Sequence, residues 1–593
     1  MNKQLFLLII FLFCSVSQTL QSQQTTPQAS FSNGQDGNIF YHTVERGQTI
    51  YGISAMYGVS ENDIYRLNPG SREYIKVGEK LRIPQREAST SPSQRVEDMY
   101  VFHTIQPKET LYGVSKHYQV LAEQITKANP GLTTQTFAAG KTIRIPAVSL
   151  ELLPTTKTQT VVKKIEYKIK RKETMYSLCK RFNITSDQLI AHNPELRLGL
   201  KAGMVIKVPV ETEEAVTIHS NQNEYDIDAL IAFRNDIEKV NVVKVALLLS
   251  FKNVDVKQTA ARTEYYEGFL MAVDSLRKTG VSIDLSVYDI GDGIPKTKEI
   301  LQQEALRSCH LIIGGITNEQ IELIADHALK NEIKYVVPFS SRCDKLTSSN
   351  AAVFQVNTPY QYLFSYVTAR ACSLFANYNI IIVDTKDKEE KDLFIRTFKA
   401  NMAESGISYR ELNFNEKTFQ ADVRSMLSTT KPNLIVPVSS SLEALSKIKG
   451  PLRILAETRS SYHLTLFGYP EWQRYTSDCL DDFHKLNTHI YTSFFANSLS
   501  GDVQSFTKKY HSLYKKNMIA SYPKYAMIGF DTGMYFITAV NRLGANFDTN
   551  IHMMNHNSLQ TGFNFERVNN WGGFINTNLY FVRYGKDALI TRF

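Results

Sequence analysis

The sequence has no apolar run long enough to cross a bilayer. A spanning helix needs about 20 apolar residues, whereas residues 5–13, behind Met1-Asn2-Lys3, make a shorter run followed by Ser15, Ser17, Gln18 and Ser22. That is the pattern of a secretory signal, assigned to residues 1–22, so the chain is expected to be exported to the periplasm, in association with peptidoglycan or the outer membrane. Cysteine is scarce, with six residues and no C-x-x-C pair, which excludes a disulfide scaffold. Cys14 follows Phe13 rather than a small residue, which argues against lipid attachment. Cys309 and Cys343 flank successive strand-like segments, leaving a bridge and two buried thiols as equal alternatives.

Charge of one sign is never gathered into a long block, and a net charge of +9 is modest for 593 residues, so nucleic acid is not expected as a partner. The H-E-x-x-H, G-x-S-x-G and complete G-x-G-x-x-G patterns are absent. Ser446 to Lys449 fits S-x-x-K and Lys278-Thr279-Gly280 fits K-T-G, but in the reverse of the order used by penicillin-recognising enzymes. No catalytic residue, metal site or cofactor is therefore expected, and the chain is read as a non-enzyme.

What the sequence does contain is 43% hydrophobic residues and a length beyond one hydrophobic core, hence several folded units. After a polar lead-in at 23–40, one pattern occurs three times: YHTVERGQTIYGISAMYGVSENDIYRLNP, FHTIQPKETLYGVSKHYQVLAEQITKANP and YKIKRKETMYSLCKRFNITSDQLIAHNP. Thr49, Thr110 and Thr174 are offset by 61 and 64 residues, as are Asn68, Asn129 and Asn193, and each copy closes on a short strand ending in Pro84, Pro146 or Pro209. Alternation followed by helical spacing gives the order strand, helix, helix, strand. The three threonines can cap the first helix and Ser60 or Ser186 the second, and Asn-Pro ends the second helix. The repeats are bounded at 41–84, 100–146 and 166–209, and Ser, Thr, Pro and charge between them predict linkers joining independent beads.

This pattern resembles the LysM domain, a βααβ module that binds glycans containing N-acetylglucosamine. The resemblance implies a shallow groove between the first strand-helix loop and the second helix-strand loop. By position it contains Gly47, Gln48, Thr49, Ile50, Asn68 and Pro69 in the first repeat. The second offers Lys108, Glu109, Thr110, Leu111, Asn129 and Pro130, and the third Lys172, Glu173, Thr174, Met175, Asn193 and Pro194. Lysine stands at 108 and 172 where the family uses glycine, with a steric cost if the loop needs positive φ. Thr, Asn and Pro also recur wherever helices are capped and ended, so helix chemistry explains these residues as well as glycan contact does.

Beyond a linker at 210–240, apolar segments at 244–251, 282–288, 310–315, 379–383, 409–413 and 433–438 alternate with helical segments at 263–276, 296–306, 391–405, 419–428 and 442–449. That alternation predicts parallel sheets in two α/β lobes over 242–593. The YYEGFLMAVD, IIGGITNE, VVPFSS and PKYAMIGFDTGMYFITAV segments, with the closing GFNFERVNNWGGF, resemble type I periplasmic binding proteins of the branched-chain amino-acid kind. The resemblance implies three crossings between lobes and a small-ligand cleft at Thr317, Asn318, Ser340 and Ser341. Glu319 would repel an anion there.

The expected function is a non-catalytic envelope protein anchored on peptidoglycan, with the two-lobed domain closing on a small solute or wall fragment. The alternative is a scaffold or regulator whose two-lobed domain contacts an envelope protein partner such as a wall-synthesis enzyme. A wall hydrolase is the third, weaker reading.

Overall fold

The computed structural model describes residues 39–45, 48–85, 100–146, 156–182, 184–217, 230–232, 237, 239–252, 255–387 and 391–593. The signal, the lead-in as far as residue 38, Gly47 and most of the 210–240 linker lie outside them, while Ile39 and Phe40 belong to the first strand of repeat 1.

Each repeat is a two-stranded antiparallel sheet carrying two short helices. Repeat 1 pairs β1 (Ile39–Thr43) with β2 (Lys80–Pro84), repeat 2 pairs β3 (Tyr100–Thr104) with β4 (Thr142–Pro146), and repeat 3 pairs β5 (Thr156–Lys168) with β6 (Val205–Thr217). The β5–β6 ribbon extends outward past 166 and 209, into segments whose composition reads as linker.

The helix ends follow from side-chain chemistry. Thr49 and Thr110 accept from the amides of Gly52 and Gly113 at 3.0 and 3.1 Å, and Thr174 accepts from Ser177 at 3.2 Å. Ser60 caps the second helix of repeat 1, whereas Ser186 is the first residue of its own helix. The first helix stops at Gly58 (φ 64) in repeat 1 and at Gln119 (φ 53) in repeat 2, both left-handed.

The C-terminal region forms two lobes, each built on a seven-stranded sheet. Lobe 1 contains β7 (Val243–Leu249), β8 (Ile283–Asp289), β9 (Leu311–Gly314), β10 (Lys334–Val337) and β11 (Val353–Gln355). Lobe 2 contains β12 (Asn379–Asp384), β13 (Tyr409–Asn413), β14 (Asn433–Pro437), β15 (Leu464–Gly468) and β16 (His489–Thr492). The chain then returns β17 (Phe565–Arg567) and β18 (Phe574–Asn576) to lobe 1, and β19 (Tyr580–Tyr584) and β20 (Ile590–Arg592) to lobe 2. The orders are β17-β18-β11-β10-β9-β7-β8 and β13-β12-β14-β15-β16-β19-β20, parallel except where β17, β19 and β20 join. Three crossings link the lobes, after β11, after β16 and between β18 and β19. This is the multidomain architecture expected from the sequence: small βααβ modules followed by a two-lobed α/β domain.

Lobe 1 depends on a close helix crossing. A Cβ on Gly268, in helix Val256–Lys278, would lie 1.8 Å from the Ala526 carbonyl oxygen, and one on Gly529, in helix Tyr525–Leu543, 2.0 Å from that of Tyr265. Only glycine permits that approach. In lobe 2, helix Leu442–Thr458 runs through Gly450-Pro451, where sequence reading ends it, because Leu452 and Leu455 continue its buried face.

Repeats 1 and 2 are not separate beads. Phe40 and Phe102 stack at 5.5 Å, and Trp571, from the β17–β18 loop of lobe 1, completes the core of repeat 1 at 1% exposure. Linker composition could not reveal this, because it says nothing about aromatic faces that pack on one another.

Candidate functional site

In every repeat the recurrent asparagine is a clasp. The Asn68 side-chain amide donates to the carbonyls of Ile64 and Arg82, and its oxygen accepts from the Arg82 amide at 2.9 Å. Asn129 makes the same bonds with Ile125 and Arg144, and Asn193 with Leu189 and Lys207. Each ties the end of the second helix to the last strand.

The residue before the threonine is a second pin. Gln48 Oε1 accepts from the Glu45 amide and faces His42 Nε2 at 2.7 Å, while His42 Nδ1 meets the Tyr57 hydroxyl at 2.7 Å. Glu109 repeats this with the Gln106 amide and His103, and Glu173 with the Lys170 amide and the Tyr167 hydroxyl. The turn these pins close needs a left-handed residue: Lys108 sits at φ 67 and Lys172 at φ 71. A non-glycine side chain there carries roughly 1 kcal/mol of strain.

Ile50 and Leu111 are buried core residues, Met175 is half-buried, and Pro69, Pro130 and Pro194 are exposed. Sequence reading did not single out Tyr51, Tyr112 and Tyr176, which follow Ile50, Leu111 and Met175 and are 38% exposed at Tyr51 and 76% at Tyr176. Their signal was recurrence at the threonine spacing; Tyr112 differs from the other two in packing against the core of its own repeat.

The three loop pairs that the resemblance assigns to glycan have different surroundings. In repeat 1, Gln48, Thr49 and Ile50 line a cavity of about 270 Å³ whose opposite wall is lobe 2, with Gln361, Phe364, Arg396 and Ala400. In repeat 2 the loop after Asn129 is held by lobe 1, since the Gly131 amide donates to the Asn570 carbonyl at 2.7 Å. Among the described residues, the core of repeat 3 consists of its own residues alone.

A second cavity, of about 250 Å³, lies between the lobes. Phe339, Tyr360, Phe494, Tyr522 and Tyr525 line it with Glu471 and Arg474, and Glu471 is paired to Lys391 at 2.7 Å. Thr317, Asn318, Ser340 and Ser341 are not in its lining. Thr317 caps helix Asn318–Lys330, Asn318 is exposed, and Ser340 Oγ accepts from the Arg342 amide at 3.1 Å. Glu319 is also outside the lining, and hydrogen bonds at the helix start hold its carboxyl below the usual range. The aromatic lining has its own sequence signal, the pairs Pro359-Tyr360, Tyr469-Pro470 and Tyr522-Pro523 at the crossings and strand ends.

Elsewhere Cys309 and Cys343 are unbridged and buried in the same core. The S-x-x-K and K-T-G imitations fall in different lobes, where Lys449 pairs with Asp482 and Lys278 with Asp274, each at 2.8 Å. Among the described residues no group of three or more His, Cys, Asp or Glu is arranged to hold a metal ion, and no helix is long and apolar enough to cross a membrane.

The family model of the LysM domain matches residues 42–84, 103–146 and 167–209. The chain carries three LysM domains. LysM repeats imply peptidoglycan binding. Among curated proteins, the LysM region is 31% identical over 111 residues to a putative sporulation-specific glycosylase of Bacillus subtilis, covering 19% of this chain and 23% of that protein. It is 35% identical over 85 residues to the probable endopeptidase p60 of Listeria monocytogenes, covering 14% and 18%. The chain thus spans less than a quarter of either relative's length. Among solved structures, a putative branched-chain amino acid ABC transporter from Rhodospirillum rubrum is 12% identical with a TM-score of 0.43, covering 59% of this chain and 100% of that one. Full-length LpoA from Haemophilus influenzae is 14% identical with a TM-score of 0.38, covering 62% of each chain.

Proposed function

We propose that this is a non-catalytic protein of the cell envelope that grips peptidoglycan through its LysM domains and presents a two-lobed domain beside the wall. The observation that carries this reading is the threefold LysM module with one internal frame, clasp and pin, and an exposed tyrosine beside the groove of repeat 3. Several weak sites on one chain gain avidity on a polymer without deep pockets. Within the repeats we assign glycan contact to the loops at 47–50 and 68–69 and their equivalents, with Tyr176 as an apolar platform for a sugar face.

For the two-lobed domain, the aromatic cavity at the crossings supports binding of a small, largely apolar solute or wall fragment. The second reading, a scaffold for a protein partner, is favoured by a specific observation: the Thr317 and Ser340 hydroxyls, expected to hold a ligand, accept backbone amides of their own segments, and 250 Å³ is below the usual range of roughly 300–1,000 Å³.

The test is co-sedimentation of the mature chain with purified sacculi, alongside a Tyr176→Ala variant. Pelleting of the parent and weaker pelleting of the variant support the reading; a parent that stays in solution sinks it.

A further inference from the structure

The groove of repeat 1 is not open to a wall strand on all sides, and its second wall belongs to another domain. Helix Ile50–Tyr57 rests on Tyr362 of lobe 2, whose ring carbon Cε1 would lie 2.8 Å from a Cβ on Gly52. Across the opening, an Arg396 guanidinium nitrogen donates to the Arg72 carbonyl oxygen at 3.2 Å. These contacts enclose a cavity of about 270 Å³.

Its lining is mixed in a particular way. Tyr51, Tyr65 and Tyr74 contribute aromatic surface from repeat 1, while Ser365, Thr397 and Asn401 contribute neutral hydrogen-bonding groups from lobe 2. The Ser365 hydroxyl is buried without a hydrogen-bond partner, an arrangement that a polar guest would relieve. Charges in the lining are nearly balanced, with Glu45, Glu61, Glu73 and Glu404 against Arg72, Lys76 and Arg396, so it selects neither an anion nor a cation. Aromatic faces with neutral donors and acceptors around them suit a molecule with an apolar face and a hydroxylated, amide-bearing rim.

We propose that repeat 1 and lobe 2 together form a composite site for a short neutral amino-sugar oligosaccharide, such as the end or a released piece of a glycan strand. This rests on the reading that the repeats bind glycan, and adds that repeat 1 takes its ligand against helices Tyr360–Leu374 and Asp392–Glu404. Ligand at this site touches two domains at once, whereas ligand on repeat 3 touches one.

The experiment uses the full chain and a chitin tetrasaccharide, titrated calorimetrically and, in a photoreactive form, cross-linked and mapped by peptide mass. Ala400→Trp fills the cavity from the lobe 2 side, and its melting curve is checked first. We expect the parent to bind, the variant to bind about tenfold or more weakly, and cross-links in both 48–77 and 361–404. Cross-links confined to the repeats overturn the composite site, as does undiminished binding by a folded Ala400→Trp. A parent that pellets with sacculi but ignores the tetrasaccharide also overturns it, while leaving the wall-binding reading intact; failure of both sinks the two together. Should Ala400→Trp not fold, the cross-link map on the unaltered chain decides.

Discussion

The indole of Trp571, on the loop between β17 and β18, stands 5.4 Å from the ring of Phe102 on β3. Tyr57 lies 6.1 Å from the same indole, and the Arg144 guanidinium sits over it at 5.2 Å. One side chain of lobe 1 thus closes the seam between repeats 1 and 2. Replacing it with alanine removes a buried aromatic and leaves the seam hollow, a loss of about 3–5 kcal/mol. Trp571→Ala should therefore lower the denaturant midpoint of the repeats while lobe 2 unfolds as before, as followed by hydrogen exchange of each region.

The asparagine clasp predicts a different failure. Asn193 is 2% exposed and satisfies one backbone amide and two carbonyls. Asn193→Ala strands those groups, at about 1–3 kcal/mol each when buried. Repeat 3, with a small core of its own, should lose protection in hydrogen exchange throughout, and sacculus binding should weaken with it; full protection in the variant would contradict the clasp.

Gly268→Ala should be among the most damaging conservative changes. The added methyl meets a backbone carbonyl at 1.8 Å, and neither helix can yield without disturbing the sheet beneath. The expected loss exceeds about 3 kcal/mol, read as a fall in urea midpoint or as insoluble expression.

The stability of lobe 2 should depend on pH through His489. Burial, chiefly, lowers this imidazole from 6.5 to about 4, with Arg583 nearby acting in the same direction and a bond to the Asn487 carbonyl opposing them. The folded pKa lies below the unfolded one, so the unfolded chain takes up the proton first as the solution is acidified. Stability should be full above pH 6.5 and fall toward pH 4 by on the order of 3 kcal/mol. His489→Gln should flatten that slope in denaturation measured across this window; an unchanged slope would assign the acid sensitivity elsewhere.

How much of this was legible in the sequence depended on periodicity. β7 and β14 are buried nearly throughout and read as continuous apolar runs, so their positions were plain. The repeats were plain because Thr49 and Asn68 have counterparts at fixed offsets. The cleft was not, since the sequence advertised hydroxyls at Thr317 and Ser340, which the fold uses as caps. The docking of repeats 1 and 2 was not either, because a lone tryptophan in an Asn-Asn-Trp-Gly loop carries no sign of what it will meet. Gln48 and Glu109 were legible by position yet turned inward, and only geometry distinguishes a pinned loop from a presented one.

Repeat 1 has one further consequence. Its first helix lies against helix Asp344–Ser349 of lobe 1 and against Tyr362 of lobe 2. Three crossings join the lobes, and repeat 1 is a wedge touching both of them, so the two lobes share a third point of contact that the crossings alone do not supply.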